Sequence, residues 1–189
     1  MEEMIHFFSK YKAVSIMMHV FSVIVGMGTA IVSDILFNVY IKDKKINPTE
    51  NKTLEVLSRI IWVSLGFIVL SGLAIFLSDP LKYAISTKFL VKMIIVLVII
   101  INGYLFWKVT HKALKKINFT DTNSHHKYVR VRRASFAFGA VSVVSWFFAF
   151  IIGSIPSMSF SLREALGVYI SAIVFAIIGS QILEYKITH

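Results

Sequence analysis

Five long apolar runs separated by short polar segments organise this chain. They cover Ala13–Val32 with a continuation at Ile35–Phe37, then Ile60–Leu77, Phe89–Val109, Ala134–Ile152 and Ala165–Leu183. Each is about 18–21 residues long, enough for a helix rising 1.5 Å per residue to cross ~30 Å of hydrocarbon. The runs do not alternate apolar with polar residues, as barrel strands of about ten residues do. Helices satisfy every backbone group within one segment, which lipid demands. The pattern therefore predicts an all-α membrane bundle, one domain over 1–189, with five transmembrane helices at about 13–37, 58–78, 88–110, 133–153 and 165–185. The first run is expected to stay in the protein. It is too long for a signal peptide and ends in Asp34, Asn38 and Tyr40 rather than a small-residue cleavage site.

Charge placement predicts the orientation. The segment after the first run carries Lys42, Lys44, Lys45, Lys52 and Arg59, and the segment after the third carries Lys112, Lys115, Lys116, Lys127, Arg130, Arg132 and Arg133. The other two connections hold only Asp79, Lys82 and Lys88, and Arg163 and Glu164. Excess Lys and Arg stay in the cytoplasm, so the N-terminus is expected outside and the C-terminus inside. Lys10 and Lys12 oppose this weakly. The longest loop, over Thr110–Arg133, is expected to have a polar, mobile centre at Asn118–His126.

Composition agrees with the pattern. Of 189 residues, 57% are hydrophobic and 16% charged, against about 45–50% and 25% in soluble domains. The net charge of +10 sits beside apolar runs, where it sets topology and attracts anionic headgroups, so no nucleic-acid partner is expected. The absence of cysteine excludes disulfides, thiolate metal sites and cysteine nucleophiles. No phosphate loop, zinc-protease motif or serine-hydrolase elbow is present.

Two helices carry small and polar stripes at helical spacing. One is Ser15, His19, Ser22, Gly26, Ala30 and Ser33; the other is Ser135, Gly139, Ser142, Trp146, Ala149 and Gly153. Small residues let helices approach closely in lipid, so both stripes are expected to face the bundle interior, either as ordinary packing or as the wall of a cleft.

Ionisable side chains inside a span are costly and mark sites or buried pairs. His19 is the histidine deepest inside a run; it serves either as a haem or metal ligand or as a helix–helix hydrogen-bonding group. Lys92, at similar depth in the third run, either snorkels to headgroups or faces inward to hold an anionic group. Asp34 lies about 60° round the first helix from His19, and the reading favoured is a structural ion pair with Arg59, Arg132 or Arg133. Asn102 needs an internal partner. Trp107 fits an aromatic belt, and Trp146 is expected to pack inside.

The segments "MHVFSVIVGMGTAIVSDILFNVYIKD" and "STKFLVKMIIVLVIIINGYLFWKV" put a histidine at the opening of one apolar helix and a lysine just inside another. This arrangement resembles the small membrane proteins of the HemJ-type protoporphyrinogen oxidase and CopD-like copper-resistance group, over the first three helices. The resemblance implies a porphyrin or metal site, with His19 as a ligand and Lys92 as a cofactor or substrate contact. Where that pattern has a basic residue late in the first helix, this chain has Asp34.

The leading functional expectation is a redox protein associated with haem b or porphyrin in the outer half of the bundle, with His19, Lys92 and Trp146 at the cofactor and His19 as the metal ligand. Asp34, Asn102 and Arg59 are the structural polar residues. The competing expectations are a copper-handling permease using Met17, Met18 and Met93 beside His19, and a non-catalytic membrane subunit or scaffold. The partners expected are the bilayer itself and either a second copy of the chain or another membrane protein. The location expected is a cell membrane, specifically a bacterial inner membrane.

Overall fold

A computed structural model describes residues 2–40, 47–111, 122–155 and 160–188. Among these residues seven α-helices follow one another: α1 Glu2–Lys10, α2 Lys12–Tyr40, α3 Pro48–Leu77, α4 Pro80–Ala84, α5 Thr87–Phe106, α6 Thr122–Ser154 and α7 Leu162–Thr188. A π-helical turn, Trp107–His111, extends α5. No strand occurs among the described residues. Five stretches are long and apolar enough to cross a membrane: Lys12–Tyr40, Pro48–Leu77, Thr87–Val109, Val129–Ser154 and Leu162–Lys186. The chain is an all-helical membrane protein.

The five expected helices are present, but two start about ten residues earlier than their apolar runs. α3 begins at Pro48, the favoured residue type for a first helical position because its missing N–H has no intrahelical role there. The Glu50 carboxylate accepts the Asn47 backbone N–H at 2.7 Å, closing that end. α6 begins at Thr122 and carries Arg130, Arg132 and Arg133 as helical residues. Nothing between 122 and 133 breaks a helix: there is no Gly or Pro, and Lys and Arg are good helix formers. The polar centre expected at Asn118–His126 thus lies partly outside the described residues and is helical from Thr122.

Short elements at the chain's other turns follow local chemistry. The apolar Met4, Ile5, Phe7 and Phe8 of α1 are interleaved with Glu2 and Glu3 at the start and Lys10 at the end, where their charges complement the helix dipole. Asp79 caps α4 by accepting the Lys82 N–H at 3.3 Å, and Pro80 opens it. Ser86 caps α5 through the Phe89 N–H.

α2 packs most extensively on α3, α5 on α6, and α6 on α7, while α2 also touches α6. The core comprises Ala30, Leu65, Ile68, Val91, Ile95, Ile99, Trp146, Ile152, Ala165 and Tyr169. On α5 the buried residues Val91, Ile95, Ile99 and Asn102 recur every three or four positions, one face of the helix. The opposite faces present Phe21, Leu70, Leu97 and Phe175 outward, a surface suited to lipid rather than water.

Both small stripes face inward. Ser22, Gly26 and Ala30 are buried on α2; on α6 Ser135 and Trp146 are buried, Gly139, Ser142 and Ala149 are half-buried, and Gly153 at the helix end is exposed. Gly26 makes the closest approach. A methyl group there would fall 2.7 Å from Cη2 of Trp146 and 3.1 Å from Cβ of Ser64, so the indole occupies the space an alanine would need. Gly26→Ala is therefore expected to destabilise the bundle by about 1–3 kcal/mol, the usual penalty of overpacking. Thermal unfolding in detergent checks this, with Gly28→Ala as the control, since a methyl group there meets no atom within 4 Å.

Candidate functional site

Antiparallel helices bring polar groups together at two separate levels of the bundle. One level joins the first half of α2, the end of α3, the start of α5 and the end of α6. The other joins the second half of α2, the middle of α3, the end of α5 and the first half of α6.

At the first level, His19 Nδ1 lies 3.1 Å from Ser71 Oγ. The Ser71 hydroxyl also lies 2.5 Å from the Phe67 carbonyl and 3.2 Å from that of Ile68. Carbonyls only accept, so the hydroxyl proton goes to them, and Ser71 must accept from His19. His19 therefore donates through Nδ1, and in the neutral imidazole this leaves the lone pair on Nε2. The flank of the imidazole rests on Gly72, where a Cβ would stand 3.6 Å from His19 Cε1.

Lys92 turns toward the bundle rather than outward. Its Nζ lies 3.5 Å from the position a Gly153 Cβ would take. Its neighbour Lys88 donates to the carbonyls of Gly153, at 3.3 Å, and Ile155. These carbonyls lie at the C-terminal end of α6, so two lysines gather at the negative end of that helix. The structure thus places His19 and Lys92 at one level of the bundle and pairs His19 with Ser71, which has no charge or periodicity to single it out in the sequence.

At the second level a cavity of about 100 Å³ is lined by residues of α2, α3, α5 and α6, among them Asp34, Trp62, Asn102, Ser142 and Trp146. Phe37, Phe106 and Phe138 form a chain of edge-to-face rings, centroids 6.2 Å apart, along its wall. Asn102 Nδ2 donates to the Phe138 carbonyl at 3.0 Å, the internal partner its burial requires. Trp146, expected beside His19 and Lys92, belongs to this second cavity.

Asp34 departs from its expected ion pair. Its Oδ2 is buried with no hydrogen-bond partner among the described residues, and Arg59 is exposed. Arg132 and Arg133 instead turn to Glu184 of α7, which is 2% exposed. The Arg132 guanidinium donates through Nε, at 2.7 Å, and Nη2, and Arg133 Nε lies at 3.4 Å. Glu184 escaped the sequence reading because it falls one residue past the last apolar run. A carboxylate one helical turn from the end of the span, opposite a row of arginines, was the available signal. The same α6–α7 interface holds Ser145 and Tyr169, 2.7 Å apart. Ser145 gives its proton to the Val141 carbonyl at 2.6 Å, so the tyrosine donates to it.

Among the described residues no three His, Cys, Asp or Glu side chains converge as a metal cage would require. Met17, Met18 and Met93 are 72%, 45% and 54% exposed, so they point outward rather than completing such a cage. Comparison with known protein families, curated proteins and solved structures finds no match.

Glu184→Ala removes the carboxylate against which Arg132 is buried. Breaking one side of a buried pair costs about 3–5 kcal/mol, so a pronounced fall in melting temperature is expected. Arg133, 56% exposed, contributes no more than about 1 kcal/mol, and Arg133→Ala should scarcely move it. Differential scanning fluorimetry of the two variants in detergent distinguishes the contributions.

Proposed function

We propose that the chain is a membrane protein associated with haem or another porphyrin, with His19 as the ligand and Lys92 as the partner of an anionic group on the bound molecule. The observation that carries this reading is the Ser71–His19 hydrogen bond. A histidine that donates through one ring nitrogen to a fixed acceptor holds the other as a base, the arrangement found in ligating histidines. Lys92, at the same level of the bundle, supplies a positive charge suited to a propionate.

The donor set favours a porphyrin over a bare metal ion. A copper or zinc ion needs several protein ligands, whereas a tetrapyrrole brings four nitrogens of its own and needs one axial histidine. A bound haem would supply one-electron chemistry. This chain's residues would orient the ring, hold its carboxylates and exclude water. In this reading the protein lies in a cell membrane, the bacterial inner membrane, with the His19–Lys92 level in its outer half, as the distribution of basic residues predicts.

One observation favours a second reading, a non-catalytic subunit. Gly28, Gly66, Gly167 and Gly179 meet nothing within 4 Å, and small residues on outward helix faces suit docking to another membrane helix. Such a subunit would be colourless and would co-purify with a partner.

An absorption spectrum of protein purified in mild detergent separates the two. The porphyrin reading predicts a Soret band, present on isolation or after haem addition, that His19→Ala abolishes. Ser71→Ala should retain the band with affinity for haem lowered about 10–100-fold, the usual effect of losing a group that orients a ligand. A protein that gains no band on haem addition, or binds equally well as His19→Ala, contradicts the reading.

A further inference from the structure

The cavity around Asp34 has a different chemistry from the His19–Lys92 level. Among the described residues it holds two buried polar atoms with no hydrogen-bond partner, Asp34 Oδ2 and Trp146 Nε1. One can only accept when ionised, and the other can only donate. Trp146 is 2% exposed, so bulk solvent does not supply the missing partner. An unpaired polar group in a bilayer interior is costly and persists where function retains it.

The rest of the wall specifies what fits between them. Among the described residues it contains no Lys or Arg to balance the charge of Asp34, and Arg132 and Arg133 turn to Glu184. Trp62, Phe106, Phe138 and Trp146 contribute aromatic surface, which attracts cations. Ser33, Ser58 and Ser142 add hydroxyls. Gly139 permits the carboxylate to lie against α6: a Cβ there would stand 3.4 Å from Asp34 Oδ1.

Size narrows the class further. An engineered cavity of about 150 Å³ holds benzene, with six heavy atoms, so about 100 Å³ scales to a ligand of roughly four.

The geometry points to a binding site for a small primary ammonium that also carries a hydroxyl oxygen, the amino-alcohol class. Its ammonium donates to Asp34 and lies against the aromatic wall. Its oxygen accepts the Trp146 indole N–H. Both orphaned atoms are then satisfied by one molecule of the right size and charge.

The test is isothermal titration calorimetry of the full-length protein in detergent, at constant ionic strength. The probes are ethanolammonium chloride, ethylene glycol (neutral, with the same number of heavy atoms), choline chloride (too large) and sodium chloride. Saturable binding of ethanolammonium alone is expected. Asp34→Asn should weaken it at least tenfold, and Trp146→Phe several-fold, as loss of a charged and a neutral hydrogen bond implies. Equal binding of ethylene glycol overturns the charge assignment, and saturation by sodium alone overturns the organic ligand. Absence of binding, or an undiminished response in Asp34→Asn, overturns the site. If Asp34→Asn fails to fold, the wild-type comparison of ethanolammonium with ethylene glycol decides, because the two differ chiefly in charge.

Discussion

A polar group left without a partner in hydrocarbon costs several kcal/mol, and the organisation of this bundle follows from that cost. Backbone groups meet it by forming helices. Side chains meet it by turning inward and finding partners across helix interfaces. Asn102 reaches a carbonyl of α6, Tyr169 reaches Ser145, and Glu184 draws Arg132 into the α6–α7 contact. The outward faces are left almost wholly apolar.

Small residues make this inward arrangement possible. Gly26 admits the Trp146 ring, Gly72 receives the His19 imidazole, Gly139 receives Asp34 and Gly153 receives Lys92. Each of these glycines lies under a side chain from another helix. The stripes are thus packing devices that also seat polar groups. The result is two distinct levels. One is basic and centred on a histidine with a defined tautomer. The other is acidic and aromatic, around a carboxylate with no cationic side chain on the cavity wall among the described residues.

The number and type of spanning helices were legible because apolar run length is a one-dimensional signal that the bilayer itself imposes. Their starts were less so. Pro48 and the basic residues at the head of α6 continue the helix beyond the hydrocarbon-length run, and hydropathy does not register a polar helical extension. The inward faces of α2 and α6 were legible from spacing, and so was the kinship of His19 and Lys92, which sit at matching depths in two helices that run in the same direction. Pairings that depend on which helices are neighbours were not. Asp34 looked like a partner for Arg132 and Arg133 until α7 supplied Glu184, and Trp146 looked like part of the histidine site although α6 carries it to the other level. Ser71 acquires its role only when α3 lies against α2.

The central claim is that α2 turns its small and polar face into the bundle and its apolar face to lipid. The chain has no native cysteine, so single cysteines introduced along α2 can carry spin labels without background. In liposomes, collision with oxygen, which concentrates in lipid, should peak at positions 17, 21, 24, 28, 32 and 35, outward on the helix. It should fall to minima at 22, 30 and 37, where Ser22, Ala30 and Phe37 are buried. That helical period, in that phase, is the result the account predicts. Uniform accessibility along α2, or maxima at 22, 30 and 37, would contradict it.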